Sequence, residues 1–543
     1  MKRILFLSLT FILCLIPVLS LFHPGLPKTH DGQDHVARIA NFYLNLSQGN
    51  LIPRWAPNLN WGYGHPILEF LYPLPSYISS IFHSIGFSFV DSTKIVFGLG
   101  MILSFIFMYL WMKMFLPKTA SILGAFLYTY APYRFVELYV RGDVGENLAF
   151  AFVPLVLFFI YRFYKNKNTS DILLGAISLG LLILSHNAIS LMFSPLVFLY
   201  CVYLAFIAKD KKIFVNLLSL IILGFGLAAF FWIPALLEGK YTLRNIVTKG
   251  GYISRFVDFK NLIFSPWSYG SSGEFTVQLG VIQWLSLILS PLLFYKFFRA
   301  RDKNMWLILG LFFITCAAIF LMLPISNVFW QRIMLLQNFQ FPWRFLAITI
   351  FTTAVLGAFL IKFTPGKLRI WLTAILIIIV LIISKDYIKP QSYLFKPESF
   401  YSGIYNSTTD TGESSPIWSV RFMEKTPKAH IEVIDGKAAI KELERSATYH
   451  SYQILVSKRS LFKENTLYFP GWEIKANNIP LNIQFQNMQY RGIMLFYLDK
   501  GNYVVQVRYS ETRLRLISDV LSFASLFTIF VFIIIKFVKR RIY

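Results

Sequence analysis

The sequence predicts a polytopic α-helical membrane protein with a small β-rich domain outside the membrane. Three observations support this fold class: 56% of the residues are hydrophobic, only 15% are charged, and the apolar residues fall in repeated long blocks. Soluble chains carry about a quarter charged residues, and a helix crosses a bilayer with about 20 apolar residues. These features exclude a soluble enzyme, a disordered chain and a fibrous protein. The block length also excludes an outer-membrane barrel, whose strands are short and alternate.

Twelve apolar runs have the length of membrane spans. The first run, Ile4–Phe22, follows Lys2 and Arg3. A cleaved signal peptide has similar flanks, but this run is long and no small-residue cleavage site follows it, so we expect an uncleaved helix. The other runs lie near 93–115, 118–135, 147–164, 171–187, 189–208, 213–237, 277–297, 305–323, 345–361, 369–384 and 514–535.

Basic residues gather in alternate turns between these runs. The chain carries 52 Lys and Arg against 27 Asp and Glu, a net charge of +25. Because Lys and Arg concentrate at the cytoplasmic ends of spans, this alternation predicts a multi-pass protein of the cell (plasma) membrane with both termini cytoplasmic. This topology accounts for the net positive charge, which in a soluble protein would suggest binding to nucleic acid. No nucleic-acid partner is therefore expected.

One proline-rich apolar segment, Ile67–Ile85, is not counted as a span. Pro66, Pro73 and Pro75 interrupt it, and proline breaks helices. We expect one or two short juxtamembrane helices at the outer membrane surface, within a first outer loop of residues 23–92. A re-entrant segment is the alternative.

The chain is predicted to divide into three parts. Residues 1–384 form a transmembrane domain of eleven spans, residues 385–513 an extracytoplasmic β-sandwich-like domain, and residues 514–543 the last span with a basic tail. Asp435-Gly436 and Lys500-Gly501-Asn502 indicate hairpin turns between short strands. The Ser/Thr/Gly-rich stretch Ser402–Ser415 is typical of a loose linker.

Ionisable groups are concentrated directly after the first span, in Thr29–Arg38. Asp31 and Asp34 are the candidate catalytic residues, because a carboxylate at the membrane edge can act as a general base or hold a divalent metal. His35 and Arg38 are candidate substrate-binding residues, and Arg38 is spaced to pair with Asp34 on a helix. The alternative is that an Asp only caps the helix that follows.

Further candidate substrate-binding residues stand in the other outer loops and at span ends. Arginine is a permanently charged fork that suits phosphate, so arginines at the membrane rim could hold a lipid phosphate. Aromatic rings in these loops could stack on sugars. The alternatives are interfacial anchoring of the rings and snorkelling of the arginines into headgroups. The candidates are Arg54, Trp55, Arg141, Asp143, Glu146, His186, Arg332, Trp343 and Arg344.

Several of these motifs resemble those of a known family, the bacterial and archaeal membrane proteins labelled 6-pyruvoyl-tetrahydropterin synthase-related. The region around Tyr468–Trp472 and Gly492 resembles the C-terminal outer module of YfhO-type membrane proteins, and both groups are similar to the GT-C class of glycosyltransferases. The motifs are His30-Asp31-Gly32 with His35 and Arg38, Pro53-Arg54-Trp55, Gly62-Tyr63-Gly64, Phe70–Pro75, Ser185-His186-Asn187 and Phe341–Phe345.

The GT-C resemblance implies an inverting glycosyltransferase that takes a sugar from a polyprenyl-phosphate donor on the extracytoplasmic face. It implies that Asp31 is the base or a metal ligand, with Asp34 as the second choice. The two acids are separated by Gly32 and Gln33, which leaves a divalent metal (Mg²⁺ or Mn²⁺) open. The acceptor is an unidentified glycan, lipid or protein. Pterin chemistry is not expected, since the chain's eight histidines include no His-x-His pair.

Two other function classes remain open from the residues alone. A transporter or flippase of lipid-linked glycans would place polar groups at the bilayer midplane, on broken helices. A non-catalytic assembly factor of the cell envelope would use the outer domain to bind a glycan or a partner. The polar residues collect at one rim of the predicted spans, which favours the enzyme.

Overall fold

The computed structural model describes residues 12–270 and 274–542. Within these residues, eight helices are long and apolar enough to cross a membrane, or nine if one bent pair counts as a single span. Residues 4–11 of the predicted first span, with Lys2 and Arg3, lie outside the described residues. The eight helices are Phe89–Lys113, Val144–Asn166, Asn187–Ala208, Val281–Arg299, Asn304–Met322, Pro342–Lys362, Gly366–Ser384 and Arg513–Lys536.

Four of the twelve predicted spans are not among these eight helices: the first one and those near 118–135, 171–187 and 213–237. The described part of the first predicted span is the apolar helix Ile12–Phe22, and Thr169–Ser185 is an apolar helix of 17 residues. Lys118–Thr129 has only 12 residues, is buried from residue 120 onward and ends before Pro132, which begins a separate short helix. Apolar run length therefore predicts where these helices lie better than it predicts how long and how straight they are.

The bent pair consists of Lys211–Leu227 and Ala229–Leu237, which meet at 70°. The last helix fills the break: the Ser522 hydroxyl accepts a hydrogen bond from Phe230 N (2.8 Å) and donates one to Gly226 O (3.0 Å). A broken helix in a membrane needs such partners for its freed backbone groups. The last helix therefore stabilises the kink.

Short helices form most of one end of the bundle, the end next to the six-stranded sheet, which we call the outer end. The proline-rich segment 67–85 forms two of them instead of a span, as its prolines predict. Val136–Arg141 is a single π-helical turn, a local form that is often found at functional sites. The short helices are Gly32–Ser47, Asn60–Gly62, Ile67–Phe70, Leu74–Ser84, Pro132–Phe135, Val136–Arg141, Glu238–Tyr241, Arg244–Val247, Ile253–Arg255, Phe259–Ile263, Pro324–Ser326, Asn327–Arg332, Met334–Gln337, Pro342–Phe345 and Glu398–Ser402.

The outer domain contains one six-stranded antiparallel sheet rather than two separate sheets. Its central strand, Tyr449–Leu467, pairs with Ile431–Arg445 along one side. Along its other side it pairs first with Gly501–Tyr509 and then with Ile493–Leu498. Trp472–Ala476 and Ile479–Pro480 complete the sheet.

Neither predicted hairpin turn is formed. Gly436 has φ of 95° and lies in an irregularity within the strand Ile431–Arg445, which continues past it. At Lys500-Gly501-Asn502 the chain passes from one segment to the next along the same side of the central strand, where Gly501 faces Val456 and Leu498 faces Ser460. Turn residues also mark bulges, so their presence alone does not fix a reversal of the chain.

Residues before the sheet fold back onto the first outer loop. Tyr393–Leu394 pairs with Leu26–Pro27 in a two-stranded sheet. The stretch predicted to be a loose linker is held by main-chain hydrogen bonds from Asn60 N to Ser407 O and from Tyr405 N to Asn58 O, both 2.8 Å. This segment therefore belongs structurally to the outer end of the bundle.

Candidate active site

A cavity of about 390 Å³ lies at the outer end of the bundle. Its wall combines the first outer helix, the second outer loop, the loops around residues 242–244 and 338–344, and the segment 409–414. We call it the outer cavity. Eight of the predicted site residues lie in its wall: Asp31, Asp34, His35, Arg38, Arg141, Asp143, His186 and Arg344.

Asp31 is fixed by contact between the first and second outer loops. The backbone N–H groups of His30 and Asp31 donate to the carbonyls of Val140 and Arg141, at 2.9 and 2.8 Å. Gly142, with φ of 71°, makes this approach close, because a Cβ there would clash with Thr29. The left-handed conformation also favours glycine. The two loops thus set the position of Asp31 through their backbones.

The carboxylate of Asp31 is left free for chemistry. The helix begins at Gly32 and makes no capping bond to the Asp31 side chain, so the predicted cap role does not apply. No hydrogen bond to its carboxylate occurs among the described residues. Burial raises the pKa of Asp31 above its ordinary value, although Arg141 and Arg38 act in the opposite direction. A carboxyl with a raised pKa in a cavity is typical of a general base.

Asp34 has a different environment. Its carboxylate accepts a 3.0 Å hydrogen bond from the Tyr405 hydroxyl. Burial raises the pKa of Asp34, while Arg38 and Tyr405 oppose the rise. The predicted ion pair with Arg38 is not present, since no N···O distance within 4.0 Å joins the two described side chains. The Asp34 carboxylate is therefore hydrogen-bonded to a neighbouring side chain, whereas the Asp31 carboxylate is not, as far as the described residues show.

Asp143 acts as an anchor in the floor of the outer cavity. One carboxylate oxygen accepts from Glu146 N and from the Tyr72 hydroxyl, both at 2.9 Å, and so caps the helix Val144–Asn166. The other oxygen lies 3.4 Å from His186 Nε2 and 3.3 Å from Arg141. Burial opposes ionisation, but His186 and Arg141 hold the pKa of Asp143 well below its usual range. Asp143 is thus ionised, and both of its carboxylate oxygens have partners within the protein.

Glu146 and Trp343 lie behind the wall of the cavity rather than in it. Glu146 is fully buried and accepts from Arg141 at 2.9 Å and from Tyr133 at 2.5 Å. Arg141 also bonds both oxygens of Glu137 at 2.6 Å and stacks over Trp343 at 4.6 Å. Glu146 and Trp343, which are predicted to contact substrate, therefore hold Arg141 in place and do not line the cavity themselves.

A divalent metal is held by carboxylates and histidines that lie close together, and neither Asp31 nor Asp34 belongs to such a group of three among the residues that the structure describes. In the described part of the chain, the one carboxylate and histidine group with ligand atoms within 4.8 Å of one another is Asp143, Glu146 and His186. Such donors suit a divalent cation in type. However, Arg141 already bonds both carboxylates and supplies the positive charge that a metal would bring. The cluster fits a buried ion pair and does not fit a metal site.

Among the described residues, two arginines of the outer cavity have no carboxylate oxygen within 4.0 Å. Arg38 is only 7% exposed, and the groups near it are the Thr409 hydroxyl at 2.9 Å and His35 Nδ1 at 3.5 Å. Burial and Arg38 lower the pKa of His35 to about 3, so His35 is neutral at physiological pH. Arg244 also forms no ion pair among the described residues. Arg38 is buried and Arg244 is half-buried. Because a cation removed from water without a directly bonded counter-ion is costly, these two groups indicate an anionic ligand.

Arg344 lies close to this pair. It donates to Phe339 O at 3.0 Å, stacks over Phe341 at 4.8 Å and lies 3.6 Å from Glu146. Its Nε is buried without a hydrogen-bond partner. Arg344 can therefore add positive charge to an anion held nearby, as predicted from its place at the rim.

The segment 409–414 supplies cavity residues that the sequence reasoning missed. Thr409 binds Arg38, and Asp410 accepts hydrogen bonds from the backbone of Gly412 (2.8 Å) and Ser414 (2.9 Å). Glu413 accepts from Gln340 at 2.9 Å. A run of Thr, Asp, Gly, Glu and Ser is typical of linkers as well as of sites, so composition gave no distinguishing signal.

Besides Glu146 and Trp343, three further predicted substrate-binding residues lie outside the outer cavity. Arg54 donates to Glu511 (3.1 Å), to Asp519 (2.8 Å) and to the backbone carbonyl of Phe230. These bonds join the first outer loop to the last helix. Trp55 is buried in the core of the outer sheet. Arg332 is exposed on the short helix Asn327–Arg332, away from the cavity wall. The first two are structural residues, because no surface of either is available to a substrate.

Comparisons with known proteins give one family match and several distant relatives. The family described as 6-pyruvoyl-tetrahydropterin synthase related domain, membrane protein, matches residues 68–391. An uncharacterised protein of Lactococcus lactis subsp. cremoris (strain MG1363) is 28% identical over 250 residues, which cover 43% of this chain and 40% of the relative. The chain therefore spans less than half the length of that relative.

Three similar solved structures are each less than 25% identical to the chain. The apo oligosaccharyltransferase of Archaeoglobus fulgidus has a TM-score of 0.47 and 14% identity, covering 76% of this chain and 61% of its own. The mycobacterial arabinofuranosyltransferase AftD has a TM-score of 0.45 and 13% identity, covering 74% and 28%. ArnT of Cupriavidus metallidurans, bound to undecaprenyl phosphate, has a TM-score of 0.39 and 10% identity, covering 74% and 68%.

Proposed function

The chain belongs to the 6-pyruvoyl-tetrahydropterin synthase-related family of membrane proteins, and from this premise we propose that it is a membrane glycosyltransferase with a polyprenyl-phosphate sugar as donor. One observation supports this function most: the outer cavity holds the Asp31 carboxylate together with Arg38 and Arg244, and within the described residues that carboxylate accepts no hydrogen bond and neither arginine forms an ion pair. A base and phosphate-binding cations are what such a donor requires, because the donor carries its own leaving group. We place the reaction on the extracytoplasmic face, with both chain termini in the cytoplasm.

The proposed reaction is a single displacement at the anomeric carbon. A hydroxyl oxygen of the acceptor forms the new bond to that carbon from the side opposite the phosphate, and the bond between the carbon and the phosphate oxygen breaks. The hydroxyl proton passes to Asp31. The electron pair of the broken bond leaves on polyprenyl phosphate, whose negative charge Arg38 and Arg244 stabilise. The configuration at the anomeric carbon is inverted.

The remaining groups of the cavity position the reactants. Asp143 holds the Tyr72 hydroxyl and His186, which keeps the floor of the cavity rigid. The rings of Phe70 and Phe341 line the cavity and offer apolar faces to a sugar ring. Such fixed geometry is what converts an encounter of two substrates into an effectively intramolecular reaction.

The flippase alternative is less well supported. A flippase needs polar groups along a path through the middle of the membrane. The ionisable lining of the outer cavity instead comes from outer loops and the outer ends of helices, as Asp31, Arg141 and Arg344 illustrate. The polar groups are thus placed for chemistry at one surface.

The proposal is tested by donor turnover with the full-length chain in nanodiscs. A panel of radiolabelled polyprenyl-phosphate sugars is supplied, and released polyprenyl phosphate is measured with water or added glycans as acceptor. We expect time-dependent release with at least one donor. Movement of a labelled lipid between the leaflets of vesicles, without cleavage of any donor, would show a flippase instead.

A further inference from the structure

Two outer loops, residues 242–264 and 324–341, pack against each other and form one surface that we call the apron. Its centre is Trp330, which is fully buried and stacks on Tyr252 with ring centroids 5.1 Å apart. Phe256 packs edge-on against the same indole at 5.9 Å. Val257 N donates to Met322 O at 2.8 Å, which ties the apron to the end of the span Asn304–Met322. The two loops of the apron are therefore packed together around a small aromatic core of their own.

The outward side of the apron is apolar although it lies outside the spans. Ile325 and Met334 are each 73% exposed, and Phe264 is 68% exposed. Ile246, Val328 and Leu335 are exposed beside them. A contiguous apolar surface of this kind marks contact with a membrane or a partner, whereas single exposed apolar residues carry no such meaning.

The charges and the location of the apron favour the membrane as its partner. The exposed cations Lys249, Lys260 and Arg332 stand among the apolar side chains. Basic residues mixed with large apolar ones are typical of helices that lie in the headgroup layer. The apron also continues the lipid-facing surface of Asn304–Met322, where Phe313 is exposed. A phospholipid surface therefore covers it better than a soluble protein would.

The other edge of the apron is a wall of the outer cavity. Arg244, Gln340 and Phe341 belong to the two loops and line the cavity. The Arg255 guanidinium lies 5.1 Å from the Phe341 ring and links the two loops at this edge. The same short segments thus face the cavity on one side and expose apolar side chains on the other.

We propose that the apron lies in the headgroup layer of the leaflet on the cavity side, with its apolar side chains in the acyl boundary. The outer cavity then opens towards lipid, and a lipid-borne substrate enters it sideways along the apron. The entry path rests on the proposed function, whereas the embedding of the apron does not.

Spin-label accessibility in nanodiscs tests the embedding. Single cysteines replace Met334 and Phe264 after the three native cysteines, Cys14, Cys201 and Cys316, are changed to alanine. The matched control is Met488→Cys in the outer domain, where the methionine is 77% exposed. We expect labels at 334 and 264 to collide more with oxygen than with a nickel chelate, and the label at 488 to show the reverse. Equal behaviour at all three positions overturns the embedding.

Turnover of long-chain and short-chain donors tests the entry path separately. Met334→Lys should raise KM about tenfold for a long-chain donor and leave a water-soluble short-chain donor unaffected. Met488→Lys, the control, should change neither. If Met334→Lys raises neither KM, the sideways entry is wrong even where the labels show embedding. If no donor is cleaved at all, the proposed function fails while the accessibility result still decides the embedding.

Discussion

The backbone N–H of Asp31 donates a 2.8 Å hydrogen bond to the backbone carbonyl of Arg141. This bond joins the two outer loops that carry the ionisable residues of the cavity. It places the Asp31 carboxylate, which accepts no hydrogen bond within the described part of the chain, beside the Arg141 guanidinium, which is bonded to Glu137, Glu146 and Asp143. The Asp31 carboxylate is thereby available for proton transfer, whereas the Arg141 guanidinium maintains the structure around it.

Gly142 should be essential for this arrangement. Gly142→Ala introduces a Cβ that clashes with Thr29 and so displaces Asp31, and we expect a large loss of donor turnover. Gly49→Ala is the matched control, because Gly49 also has a positive φ (88°) but no atom within 4 Å of the added Cβ. Both changes should cost roughly 1 kcal/mol of backbone strain in thermal unfolding. Equal turnover of the two variants would contradict the role of the loop contact.

Arg38 should hold the donor phosphate. Arg38→Gln removes a buried charge that has no carboxylate partner, and we expect KM for the donor to rise roughly tenfold to a hundredfold, as for loss of a charge-assisted bond of about 1.5–3 kcal/mol. Arg459→Gln, an exposed arginine of the outer sheet, serves as control. An unchanged KM in Arg38→Gln, measured from initial rates of donor cleavage, would remove Arg38 from the phosphate site.

The pH dependence of both rate and stability should report Asp31. Its pKa is raised in the folded chain by burial, so the acid limb of the kcat/KM profile should lie above the ordinary range of an aspartate. A raised folded-state pKa adds stability below the unfolded pKa, and this contribution is lost as pH rises through the folded value. Asp31→Asn should therefore raise Tm at neutral pH, with the gain disappearing in acid. A Tm gain that persists at low pH would contradict this assignment.

Arg515 should be critical for stability. It is fully buried and bonds Glu69 (3.1 Å) and Glu238 (2.6 Å), which joins the last helix to the first outer loop and the bent helix pair. Arg515→Ala leaves two buried carboxylates unpaired and should cost about 3–5 kcal/mol. Arg513→Ala, at an exposed position on the same helix, should cost little. Thermal unfolding in detergent separates the two, and equal Tm values would contradict the role of the cluster.

The sequence predicted the parts of this protein that depend on local pattern. The helical membrane class follows from apolar run length, and Asp31, Arg141 and His186 were found because ionisable residues are rare near the ends of apolar runs. Apolar run length did not predict that the run 118–135 is broken before Pro132 or that the run 213–237 bends by 70°.

Long-range partners account for most of what could not be predicted. Arg54 is predicted from the sequence as a substrate contact, but Glu511 and Asp519 bind it from 457 and 465 positions away. Thr409 enters the cavity because the chain folds back onto the first outer loop, which no local pattern indicates. Residues of this kind can be assigned only once the chain's tertiary contacts are known.

The role of Asp31 as the base is tested most directly by donor cleavage in Asp31→Asn, with Asp499→Asn on the outer sheet as control. The account predicts that Asp31→Asn still binds the polyprenyl-phosphate sugar but cleaves it at least about a hundredfold more slowly. Asp34→Asn should lose less, because Tyr405 already occupies that carboxylate. Cleavage by Asp31→Asn at the rate of the unmodified chain would contradict the account.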